Sequence, residues 1–155
     1  MLDALLTLIM RPLVKMQMGG KVPFAKACGV LLNSMGNGVA HCEMPQKPEL
    51  LDSTGHVADG ALFTLAETCS GAAMAGGFAS VILSVRPVAA QVEFEVLRPA
   101  SGLVHAQAKV AQAISPLKQT LRTAGKINFP VEVEVSDASG QTVAQMRVIW
   151  NLKKN

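Results

Sequence analysis

The sequence predicts an α+β domain in which an antiparallel sheet wraps around one long central helix. Two observations carry this. From Gly60 to Ala75 the chain is apolar or small almost throughout, and a helix apolar on all sides is buried on all sides. Downstream the period changes to two, and runs of alternating polar and apolar residues follow one another with turn-forming residues between them, as in strands with one polar face.

The elements follow in chain order. Leu2, Leu5, Leu6, Ile9 and Leu13 recur at helical spacing, predicting a short amphipathic helix docked on the body. This N-terminus lacks a basic start, carries Asp3 and has no small-residue cleavage site before Arg11 and Pro12, so it is not expected to be a secretory signal. No apolar run reaches the roughly 18–20 residues of a membrane helix without interruption. Val30–Leu32 and Val39–Met44 read as two strands, or one bent strand, about the hairpin signal Asn37-Gly38. A loop from Pro45 to Thr54 leads to the central helix, for which Gly76-Gly77 is the expected stop. Strands are expected over Gln91–Val96, ended by Arg98-Pro99, then over Val104–Val110 and around Val131, Val133 and Val135. Asp137-Ala138-Ser139-Gly140 forms a turn, and Ala144, Met146, Val148 and Trp150 form the inward side of a last strand. Ser115–Gly125 fits neither period. Residues 1–24 are thus a helix and lead-in, and residues 25–155 a single domain.

Composition narrows the function classes. Apolar residues make up 50% of the 155 and charged residues only 16%, against about a quarter in typical domains. So much apolar surface with so few charges predicts burial between copies, as a homodimer or dimer of dimers. The net charge is +3, with no basic cluster beyond Lys153-Lys154, which makes nucleic acid a poor partner. Cys28, Cys42 and Cys69 are odd in number and lack metal-ligand spacing, which argues for reduced thiols in the cytoplasm and against a disulfide framework or zinc site.

Glu67 is the anomaly. It sits mid-helix among apolar residues with no basic residue nearby in sequence, where desolvation disfavours its charged form. The residues alone leave two readings: a structural carboxylate held by hydrogen bonds or by a cation across a dimer, or a base kept there for chemistry. Phe63, Met74 and Phe78 share its side of the helix, with Ser70 nearly one turn on. Leu62, Leu65, Ala66, Cys69 and Ala73 form the opposite face, so Cys69 reads as a small core residue. His41 and His105 fall on the polar sides of strands.

This order of elements resembles the hotdog fold, and more narrowly the acyl-CoA thioesterases of the phenylacetyl-CoA type. Their signature is an asparagine, a glycine three residues on, His-Gly-Gly opening the central helix, and an acidic residue seven positions after the second glycine. Here the frame is Asp52, Gly55, Ala58-Asp59-Gly60 and Glu67, with every spacing kept but with Asp for Asn and Ala-Asp for His-Gly. Val96-Leu97-Arg98-Pro99-Ala100 matches the family's strand ending in a Pro-Ala turn, and the hairpin around Asp137 is also similar. Ala89 falls near where related enzymes place a hydroxyl that helps position water.

The resemblance implies hydrolysis of acyl-CoA thioesters without metal or cofactor. Glu67 would be base or nucleophile, and the free amides at the helix start around Gly60 would hold the oxyanion. Asp59 is expected to turn away as the helix N-cap, and Ser70 to help orient water. His56, Asp52, Phe63, Met74 and Arg98 are candidate substrate contacts, with Arg86 a weaker one. The losses at residues 58, 59 and 89 favour the alternative of a non-catalytic acyl- or CoA-binding protein. A hydratase of the same fold would need a paired acid and histidine, and none stands out.

Overall fold

The alternating runs become strands of a single sheet. A computed structural model describes residues 22–155, so the helix expected over Leu2 to Leu13 lies outside the described residues. The elements are α1 (Pro23–Cys28), β1 (Leu31–Gly36), β2 (Val39–Met44), α2 (Asp59–Gly77), β3 (Val85–Val96), β4 (Val104–Val110), α3 (Ile114–Ala124), β5 (Lys126–Ser136) and β6 (Thr142–Lys154), with short 3₁₀ turns at Pro48–Leu50 and Ile82–Ser84. The six strands pair antiparallel in the order β1-β2-β4-β5-β6-β3.

Asn37 and Gly38 join β1 to β2 with φ of 53° and 79°, the positive pair that a type I′ hairpin turn requires. β4 alternates buried and exposed along its whole length. Its buried Val104, Ala106, Ala108 and Val110 face α2 together with Val131, Val133 and Val135 of β5. Helix α2 packs on β1, β2, β4, β5 and β6. Leu62, Leu65, Ala66, Cys69 and Ala73 are at most 1% exposed, so the face expected to be core is core.

Three expectations are corrected and one unassigned segment is resolved. Gly76-Gly77 does not stop α2: both glycines are helical, and the helix ends at Phe78 without a left-handed cap. They are glycine because the β1–β2 hairpin presses on them. A Cβ at Gly76 would lie 2.9 Å from the Gly36 nitrogen, and one at Gly77 3.2 Å from the Gly38 Cα. The segment 115–125 is a helix, α3, closed by Gly125 in the left-handed region (φ 76°). Strand β3 begins six residues before Gln91, at Val85. Phe78 does not share a pocket with Glu67. It is fully buried and stacks on Phe129, with centroids 5.0 Å apart.

Candidate functional site

The start of α2 is held by backbone bonds. Val57 donates to the Ala100 carbonyl at 2.9 Å, Ala58 donates to the Leu50 carbonyl at 2.8 Å, and the Ala58 carbonyl accepts from Ala61 and Leu62. Ala58 is therefore the N-cap, with no side-chain cap bond, and Asp59 is an exposed residue of the first turn. This corrects the expected Asp59 cap. The carbonyl of Ala58 already satisfies the amides of Ala61 and Leu62, so no side-chain acceptor is required there. Among the described residues the amides of Asp59 and Gly60 make no hydrogen bond, and a Cβ at Gly60 would meet nothing within 4 Å. Two unbonded donors thus stand at the positive end of a 19-residue helix, on exposed residues.

Two turns on, Glu67 is half-buried. Burial pushes its carboxyl above the ordinary value of 4.5, and no hydrogen bond or ion pair engages the carboxylate among the described residues. Phe63, 37% exposed, stands on the same side and meets Phe94 of β3 edge to face at 5.3 Å. Phe94 is the site residue missed in the sequence. Its signal was available, since it alternates inward between Glu93 and Glu95. Met74 is buried farther along α2.

The remaining candidates separate. Ser70 is buried and donates to the main-chain carbonyl of Glu67 at 2.7 Å. Its hydroxyl is spent inside the helix, which corrects the water-orienting role. Cys69 lies 3.5 Å from the carbonyls of Ala40 and Ala106. Its thiol is held far above the ordinary range by the Cys42 side chain first and by burial second, so it stays protonated and inert. His41 and His105 are exposed.

Asp52 builds the turn before the helix. Its Oδ1 accepts from the Thr54 amide at 2.8 Å, the Thr54 hydroxyl at 2.6 Å and the His56 amide at 3.1 Å. The Thr54 hydroxyl bond, above all, holds the carboxyl below the usual carboxylate value. All three bonds reach one oxygen, so an asparagine carbonyl would serve equally, which accounts for Asp where the resembling enzymes carry Asn. The Thr54 proton goes to Asp52, so its oxygen accepts from His56 Nδ1 at 2.9 Å. Arg98 is exposed and donates to Gln141 Oε1 at 2.7 Å, bound to the β5–β6 turn. Arg86 is exposed on β3.

Asp137 braces this region from the far side. It accepts from the Ser101 amide at 3.1 Å, the Ser139 amide at 2.9 Å and the Ser139 hydroxyl. Its neighbour Ala100 receives Val57 at the helix entry. Asp137→Ala should lower stability by about 1–3 kcal/mol by orphaning these donors. The Ser139 hydroxyl, first among the causes, holds the Asp137 carboxyl below 3.8. The stabilisation is therefore present above that value and lost as pH falls through the lowered one. Thermal melts of both proteins from neutral to acid pH check this, with curves that converge in acid.

Six antiparallel strands around one central helix, with the free helix N-terminus and a lone carboxylate on its open side, define this as a hotdog-fold protein. The chain belongs to the family described as a domain of unknown function (DUF4442), whose model matches residues 11–152. Solved structures share the fold. A protein of unknown function from Pseudomonas aeruginosa, named a probable thioesterase, is 24% identical with a TM-score of 0.80, over 93% of this chain and 95% of that one. The Escherichia coli PaaI protein from the phenylacetic acid degradation operon is 24% identical with a TM-score of 0.68, over 89% and 88%. A mutant of a thioesterase enzyme from Staphylococcus aureus is 17% identical with a TM-score of 0.69, over 85% and 99%. No curated protein matches the sequence. Among the described residues no helix is long and apolar enough to cross a membrane.

Proposed function

We propose that the protein is a thioesterase that hydrolyses acyl-CoA. The observation that carries the reading is the half-buried carboxylate of Glu67, unpartnered among the described residues and with its carboxyl raised, on the side of α2 that begins at the amides of Asp59 and Gly60, which make no hydrogen bond among those residues. A carboxylate in an apolar setting is a stronger base at neutral pH than one in water. The helix-start donors supply what a tetrahedral oxyanion needs. Phe63 and Phe94 offer an apolar wall for the acyl group.

One chain leaves this site open, since Gly60 and Phe63 are exposed. Among the described residues β3 is an edge strand of 12 residues paired only to β6, with exposed Val88, Val96 and adjoining Leu97. Such an edge is a template for another strand. In this reading β3 pairs with β3 of a second copy and closes the site beside Phe94. Light scattering should then return at least twice the 16.3 kDa of one chain. A monomer at working concentration would contradict the closed site.

The test is thiol release from a panel of acyl-CoAs, short, long and aryl. Turnover of at least one supports the reading and names the acyl class. A specific observation favours a second reading, an acyl- or CoA-binding protein: exposed Asp59 stands where the resembling enzymes have glycine, beside the developing oxyanion. Saturable binding of the same panel without thiol release would select it.

A further inference from the structure

The outer face of the sheet, turned away from α2, carries a pattern that the proposed site does not use. Strand register places Lys109, Glu132, Arg147 and Glu93 side by side across β4, β5, β6 and β3. The charges alternate in sign along this row. One step along the strands, Gln107, Glu134, Gln145 and Glu95 form a second row across the same strands, with His41 continuing it onto β2. All eight side chains are exposed, and they surround a depression of about 670 Å³.

Pairing within the chain accounts for part of this. Arg147 meets Glu132 at 3.0 Å, and Glu93 accepts from Gln91 at 3.1 Å. It does not account for the second row. Glu134 and Glu95 flank the uncharged Gln145, and among the described residues neither carboxylate makes a hydrogen bond or ion pair.

A two-fold axis parallel to the strands, midway between β5 and β6, reverses each row onto itself. Lys109 then faces Glu93 of the second copy, and Glu132 faces its Arg147. In the second row Glu134 faces Gln145 and Glu95 faces Gln107, so every carboxylate meets a cation or an amide donor. A two-fold axis along the rows would instead set each charge against its own copy. The residues therefore select one symmetry.

We propose that this face docks on the same face of a second copy about that axis, forming an interface separate from the β3 edge. The depression closes between the copies as a polar, water-filled chamber. Exposed charge pairs set the register of such an interface and hold it at low salt, and added salt screens them.

The experiment is light scattering on the full chain at low salt, for the native protein, Lys109→Glu, Glu93→Lys and the double swap. The native mass should be twice that of either single variant, with association weakened at least about tenfold in each. The double swap should regain the native mass. Pairing confined to one chain predicts the opposite, because the swap sets a carboxylate at position 109 beside Glu132 and an ammonium at position 93 beside Arg147. Should a single variant fail to melt cooperatively, Lys109→Ala and Glu93→Ala take its place, removing the pair without offering an amide, with the same expected halving.

About 1 M salt, where screening acts within about 3 Å, should also halve the native mass. The readout is a halving, so it holds whether or not the β3 edge pairs, and it is independent of any activity. A native mass that both single variants leave unchanged, or a double swap that stays at the halved mass, overturns the proposal.

Discussion

Glu67→Gln should abolish most thiol release while making the protein more stable at neutral pH. The two effects share one cause. The carboxylate lies half-buried with no partner among the described residues, and burial raises its carboxyl above 4.5. As a general base it is worth on the order of 10²–10⁴ in rate, all of which the amide loses. For folding, the sign follows from proton binding. Below about pH 4 both native and unfolded chains hold the proton and native and variant melt alike. As pH rises through 4.5 the unfolded chain releases its proton first, so the native protein loses stability. Above the raised value the deficit is constant.

Thermal melts of both proteins from about pH 3.5 to 8 should therefore diverge upward for Glu67→Gln. The native rate should rise with pH through the raised value, and the residual rate of the variant should be flat. A structural carboxylate gives the reverse, since its loss orphans donors and lowers the melting temperature. A variant that is less stable at pH 7 and equally active would remove Glu67 from the chemistry.

What the sequence made legible follows burial. Val104–Val110, Val131–Val135 and Ala144–Trp150 each bury one side, so their alternation is strict and their inward residues are those expected. β3 is an edge strand, exposed over most of its length and with its register shifted between Ala89 and Gln91. Neither side of Arg86–Ala90 carries a pattern, and its first six residues went unread. α3 buries only Leu121 fully. Ile114, Leu117 and Leu121 do keep a helical spacing, but Pro116 obscured it, although proline is tolerated in a first helical turn. In the site, Glu67 stood out because a lone carboxylate among apolar residues is improbable by composition. Which way the Ser70 hydroxyl bonds, and that Ala58 caps α2 with its own carbonyl, are matters of local geometry that residue types do not encode.

Gly76 shows most sharply how packing overrides local preference. On an exposed helix, Gly→Ala gains about 1 kcal/mol. At Gly76 the added methyl would stand 2.9 Å from the Gly36 nitrogen and 3.1 Å from its Cα. Those are backbone atoms, fixed by the β1–β2 ladder and its Asn37-Gly38 turn. Overpacking of this kind costs about 1–3 kcal/mol and sometimes more, so Gly76→Ala should be net destabilising and Gly76→Val should reach the upper end, near 3 kcal/mol. For a chain of this length that is a melting temperature lowered by about 10 °C. Gly77→Ala is the control one residue on. Its tightest contact, at 2.8 Å, is Ile114 Cδ1, the far end of a flexible side chain, with the Gly38 Cα at 3.2 Å. The isoleucine can swing aside, so the helix gain offsets most of the cost and the shift should be small. Three melts decide it. If Gly76→Ala melts at or above the native temperature, the hairpin gives way and the contact does not require glycine at position 76. If it falls while Gly77→Ala holds, the contact between the α2 C-terminus and the hairpin is what fixes glycine at position 76.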